Sequence, residues 1–114
     1  MFSIKRKFHR TAGARRNFVR ILAGNLIMKE KISTTVARAK ELRPIVEKLV
    51  TIAKRKRLAD LRLLLKRLPE QAASRLYYDI APKYADRKGG YLRIIKGGAV
   101  RKRDATEKAV IEFV

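Results

Sequence analysis

Two glycine pairs, Gly89-Gly90 and Gly97-Gly98, enclose the run Tyr91-Leu-Arg-Ile-Ile-Lys96. No other stretch constrains the fold as much. β-Branched and aromatic residues bounded by paired glycines form a strand entered and left by tight turns. Period two places Tyr91, Arg93 and Ile95 on one side and Leu92, Ile94 and Lys96 on the other. With helices covering one face of the sheet, Leu92 and Ile94 face the core and Arg93 faces out. A strand needs partners, and two further stretches can supply them. Lys31–Thr35 carries Ile32, Thr34 and Thr35, and 107–114 alternates, with Ala109, Ile111 and Phe113 on one side.

The rest of the chain has helical periodicity. Phe18, Val19, Leu22, Ala23 and Leu26 make an apolar stripe over 14–28. Gly24 weakens that helix by about 1 kcal/mol relative to alanine, so it marks a close packing contact. The longest helix is expected over 36–54, with Leu42, Ile45, Val46, Leu49 and Ala53 inward and Thr34 or Thr35 as its N-cap. Pro44 lies inside it and predicts a kink. A helix over 57–68 has Leu58, Leu61, Leu65 and Leu68 as its stripe, and Pro69 stops it. Another, over 70–80, turns Ala73, Leu76, Tyr77 and Ile80 inward, and Pro82 stops it. Residues 1–13 lack sustained periodicity and read as an extended basic arm, disordered without a partner, that ends at Gly13. No repeat or linker divides residues 14–114, which form one domain.

Charge narrows the function. Lys and Arg number 30 against 10 acidic residues, a formal net charge of +20. Such self-repulsion opposes compaction unless a polyanion neutralises it. Yet 46% of the residues are hydrophobic, which excludes a simple basic tail. Nucleic acid is the leading partner, because each neutralised phosphate releases a counterion. An anionic membrane surface is the main rival. However, the basic residues surround the core instead of lining one helix face, and no apolar run approaches the roughly 18 residues of a span. Few aromatics are available for base stacking. Phe2, Phe8, Tyr77, Tyr78, Tyr84 and Tyr91 are the candidates, most of them core, so backbone and shape recognition outranks sequence readout. An architectural DNA-binding protein is the alternative within this class.

Catalysis has no visible machinery. There is no cysteine, and the one histidine, His9, has no second histidine or carboxylate nearby. Gly89-Gly90 is followed by Tyr91, not by the lysine and hydroxyl of a nucleotide loop. The ten acidic residues are scattered among lysines and arginines, as in surface ion pairs of little energy. We therefore expect no enzyme, no cofactor and no metal. Residues 2–16 are rich in arginine and free of acid, which also describes a mitochondrial presequence. Their few hydroxyls, and the basic character of the whole chain, favour a retained arm.

Three segments carry a resemblance: 34–42 (Thr-Thr-Val-Ala-Arg-Ala-Lys-Glu-Leu), 43–49 (Arg-Pro-Ile-Val-Glu-Lys-Leu) and 87–96 (Arg-Lys-Gly-Gly-Tyr-Leu-Arg-Ile-Ile-Lys). Together, at these separations, the chain resembles the bacterial-type large-subunit ribosomal protein family L17, from about Lys7 to Val114. The resemblance implies an α+β fold, with helices packed on a small mixed three-stranded sheet. It implies a structural role on large-subunit ribosomal RNA, near the peptide tunnel exit and beside other ribosomal proteins. It implies neither catalysis nor a cofactor. The ribosome would be cytoplasmic or organellar, and no homo-oligomer is expected. Charge and resemblance together nominate RNA-binding residues: Lys5, Arg6, Lys7, His9, Arg10, Arg15, Arg16 and Arg20 in the arm and first helix; Arg38 and Lys40 at the start of the long helix; Arg87, Lys88, Arg93 and Lys96 around the glycine-bounded strand; and Arg101, Lys102 and Arg103 in the late loop. Two departures stand out. The chain opens Met-Phe-Ser-Ile where the family opens Met-Arg-His, and Arg103-Asp104 stands where the family often has Gly-Asp.

Overall fold

A computed structural model describes residues 12–100 and 107–114. In chain order the elements are α1 (Ala12–Lys29), β1 (Lys31–Thr35), α2 (Val36–Lys54), α3 (Leu58–Arg67), α4 (Glu70–Arg75), a π-helical turn (Leu76–Ile80), a 3-10 turn (Ala81–Tyr84), β2 (Leu92–Val100) and β3 (Glu107–Phe113). α1 begins at Ala12, so Gly13 lies within the helix and does not end the arm. Residues 1–11, the rest of that expected arm, and the late loop at 101–106 lie outside the described residues.

The fold is α+β. The sheet has the order β1-β3-β2, with the last strand in the middle. Both pairings are antiparallel, which corrects the expected mixed sheet. The reason is direction: β1 and β2 run the same way but never touch, because β3 returns between them. Ile32, Ile111 and Ile94 stand side by side across the three strands. That row faces the helices, with Ile111 fully buried and Ile32 and Ile94 packed partly buried against the core. Leu92 is buried and Arg93 exposed, so the strand has the expected phase. It does not, however, end in a turn at Gly97-Gly98: pairing with β3 carries it through the glycines to Val100, with a register shift after Lys96. Tyr91 departs from the expected phase. It lies just before β2 and is buried, its ring 5.4 Å from that of Tyr84.

α2 packs on β2 and β3 and also meets α3 and both short turns. Leu42, Ile45, Val46, Leu49 and Ala53 are all buried, as their spacing requires. Thr35 is the N-cap, its Oγ1 accepting from the Arg38 amide at 3.2 Å. The helix runs on through Pro44, with buried Ala39 and Leu42 before it and Ile45 and Val46 after it. An internal proline costs a helix about 3 kcal/mol or more, and packing on both sides offsets that cost.

Two helical expectations need correction. In α3 the fully buried leucine is Leu64, joined by Leu68 just past its end, whereas Leu58 is 61% and Leu65 39% exposed. Leucines at 61, 63, 64 and 65 leave the phase of a ten-residue helix ambiguous, and only the neighbouring helices settle it. The helix expected over 70–80 is α-helical only to Arg75. It then widens, so that the Ala81 amide reaches Leu76 O, five residues back. Pro82 explains the change, because its ring would clash with the Tyr78 carbonyl of a regular helix. The inward residues are nevertheless as expected: Ala73, Leu76, Tyr77 and Ile80 are all buried.

Gly24 marks a close contact. A Cβ there would lie 3.1 Å from Pro69 Cγ and 3.2 Å from Pro69 Cδ. The glycine thereby lets the proline that ends α3 seat against α1.

Candidate nucleic-acid interface

The nominated cations within the described residues fall into two groups. The first lies around the sheet. Gly90 has a φ of +64°, a left-handed turn that L side chains rarely adopt. The turn aims the chain into β2 and leaves Arg87 and Lys88 exposed. The Arg87 carbonyl accepts from Lys54 Nζ and, at 3.2 Å, from the Tyr91 hydroxyl, so buried Tyr91 anchors the loop. Arg87 Nε donates to Gly89 O at 3.1 Å. Arg93 and Lys96 follow on β2, both exposed. Arg93 stands beside Glu112, which faces Lys31 on β1. Its Nε donates to Glu112 Oε1 at 2.7 Å. One carboxylate thus separates two cations on the sheet face that the helices leave open, and Ile95 is 47% exposed beside them.

The second group lies on the helices. Arg38 stacks over the Phe18 ring at 5.0 Å, joining the first turn of α2 to α1. Lys40 and Arg16 are exposed. Arg20 is exposed too, but it also has a structural task, since its Nη2 donates to Leu68 O at 3.2 Å. That bond satisfies a carbonyl at the end of α3 and ties α1 to it. Lys5, Arg6, Lys7, His9, Arg10, Arg101, Lys102 and Arg103 lie outside the described residues, as does the side chain of Arg15.

Two basic residues escaped the sequence reading. Lys66 and Arg67 join Arg16 and Arg20 around one cleft between α1, α2 and α3. Their adjacency at the end of α3 was the available signal. Lys56 has a φ of +58°, and its ammonium donates to Tyr77 O and lies 4.3 Å from the Tyr77 ring centre. Among the four tyrosines, all of them candidates for base stacking in the sequence, Tyr78 alone is exposed, at 61%.

Acidic residues do more here than the expected weak surface pairing. Glu30, in a left-handed conformation between α1 and β1, binds Arg75 at 3.1 Å and Lys83 at 3.5 Å. Its carbonyl accepts from the Phe113 amide. Asp60 is only 3% exposed and takes two hydrogen bonds from Arg57, at 2.9 and 3.2 Å. Arg55 also approaches it, Nη1 to Oδ1 at 4.0 Å. The hydrogen bonds from Arg57 hold its carboxyl below the usual range, against an opposing effect of burial. Among the described residues no group of three or more His, Cys, Asp or Glu could hold a metal ion. No described helix is long and apolar enough to cross a membrane.

The geometry is a small core wrapped in exposed cations, and sequence comparison assigns its family. The family profile described as Ribosomal protein L17 matches residues 18–114. The chain is 52% identical over 110 residues to the large ribosomal subunit protein bL17 of Sphingopyxis alaskensis, covering 96% of this chain and 78% of that one. The protein of the same name from Desulfitobacterium hafniense is 47% identical, over 96% of this chain and 97% of the relative. That of a Hydrogenobaculum species is 46% identical, over 96% and 94%. The chain therefore belongs to the ribosomal protein L17 family, a family of structural ribosome components and not of enzymes.

Proposed function

We propose that this protein binds and stabilises large-subunit ribosomal RNA in the cytoplasmic ribosome, gripping phosphates with its exposed cations. The observation that carries this reading is the +20 charge of the chain, with exposed cations on both the sheet and the helices among the described residues. The ten carboxylates are already subtracted in that figure, and two of them, Glu30 and Asp60, are engaged in holding elements of the fold together. An exposed array of this kind suits backbone and shape recognition better than base readout. In the same proposal, Lys5, Arg6, Lys7, His9, Arg10 and Arg15 extend the contact from the amino terminus, and Arg101, Lys102 and Arg103 extend it from the late loop. The resemblance to the family supports a position near the peptide tunnel exit, beside other proteins of the subunit.

Binding to a large-subunit RNA fragment, titrated against salt, tests the reading. Log affinity should fall against log salt with a slope of roughly 0.7 to 0.9 per phosphate contacted, several in all. A slope near zero refutes it. In cell extract the protein should migrate with the large subunit in a sucrose gradient, before and after DNase but not after RNase. Release by DNase would point to DNA instead.

A further inference from the structure

The cleft between α1, α2 and α3 encloses about 500 Å³. That lies in the roughly 300–1,000 Å³ range of sites that hold small organic molecules. Its floor is apolar, with Val19, Ile45 and Leu49 among the residues that form it. Four cationic side chains, Arg16, Arg20, Lys66 and Arg67, stand around it, and no described carboxylate lines it. Arg20 is held in place by its bond to Leu68 O. Asn17, exposed at the rim, adds an amide that can donate and accept hydrogen bonds.

A uniformly apolar guest would not match the exposed cations Arg16 and Lys66 at the rim, and a simple phosphate would leave the floor empty. We infer that the cleft receives a single unstacked nucleotide of the RNA, its base against the apolar floor and its flanking phosphates between the four cations. Sequence-specific contacts to RNA are commonly made with bases splayed out of loops and bulges. The cleft supplies the two surfaces such a nucleotide presents, a flat apolar ring and a charged backbone. Asn17 then reads one edge of the base. This inference rests on the RNA-binding reading above, and it adds one point of insertion to an otherwise electrostatic interface.

The test uses assembled large subunits and the isolated RNA fragment. A photoreactive benzoylphenylalanine placed at position 17 should crosslink to one nucleotide. Crosslinks spread over many nucleotides, to another protein, or to residues 1–11 of the same chain overturn the inference. Val19→Phe fills the floor and leaves all four charges, so it should weaken RNA binding about tenfold while the salt slope stays unchanged. Arg16→Gln with Lys66→Gln, at exposed positions that folding tolerates, should weaken it by at least as much. Lys29→Gln with Lys108→Gln removes the same charge away from the cleft and should cost only about two- to threefold. If the two charge pairs cost the same, the cleft is no special site, although RNA binding stands. If the unaltered protein shows no salt-dependent RNA binding, the functional reading itself fails.

Discussion

Replacing Ile111 by alanine probes the packing of the whole domain. Ile111 is fully buried in the central strand, between Ile32 and Ile94 and beneath α2. The change removes three carbons, worth about 2.4 kcal/mol at roughly 0.8 kcal/mol per buried methylene. A central strand pinned on both sides collapses poorly, so residual cavity raises the total to about 3 to 4 kcal/mol. Small domains are stable by only about 5 to 15 kcal/mol. The midpoint of thermal unfolding should therefore fall by about 10 to 25 °C. Its neighbour Val110 pairs with Ser33 and Ile95 on the open face and is only partly buried. Val110→Ala should cost about 1 kcal/mol or less. Ile94→Ala, on the inward face but at the sheet edge and only partly buried, should fall between them. Urea titrations of the purified protein at moderate salt measure all three. If Val110→Ala proves as costly as Ile111→Ala, the face of the sheet has been assigned one residue out of phase.

Further outcomes follow from the same geometry. Arg93→Ala should cost about 0.5 kcal/mol of stability, because its pair with Glu112 is largely exposed, while RNA affinity falls and the salt slope loses roughly one phosphate. Asp60 has a lowered folded-state pKa, so its contribution is fully present above its ordinary value of 3.8 and is lost as pH falls through the lower folded value. Asp60→Asn should thus be less stable than the unaltered protein near pH 7, and the gap should narrow in urea titrations below about pH 4. Gly24→Ala gains about 1 kcal/mol of helix propensity but drives a Cβ to 3.1 Å from the rigid Pro69 ring, an overpacking cost of about 1 to 3 kcal/mol. Thermal unfolding should show a net loss of up to about 2 kcal/mol, and a clear gain would mean the proline yields freely.

Local chemistry determined a good deal of this protein before any folding was considered. The face of α2 was readable because its apolar residues recur at helical spacing over many turns, and side-chain chemistry narrowed its cap to Thr34 or Thr35, of which the structure uses Thr35. The strand after Gly90 and the run at 107–113 were readable from their alternation, but the expected turn at Gly97-Gly98 was not found, because pairing with β3 carries β2 on to Val100. The pull toward a polyanion was readable because net charge does not depend on conformation. Tertiary structure decided what local patterns leave degenerate. Leucines at 61, 63, 64 and 65 fit more than one helical face, and packing against the neighbouring helices chose Leu64. The antiparallel sheet order depends on where the chain returns, which no strand encodes by itself. A charged side chain likewise reads the same in sequence whether it meets solvent or a partner. Only folding brought Arg20 to the end of α3, Arg57 around Asp60, and Lys66 and Arg67 beside Arg16 at a cleft whose walls come from three separate helices.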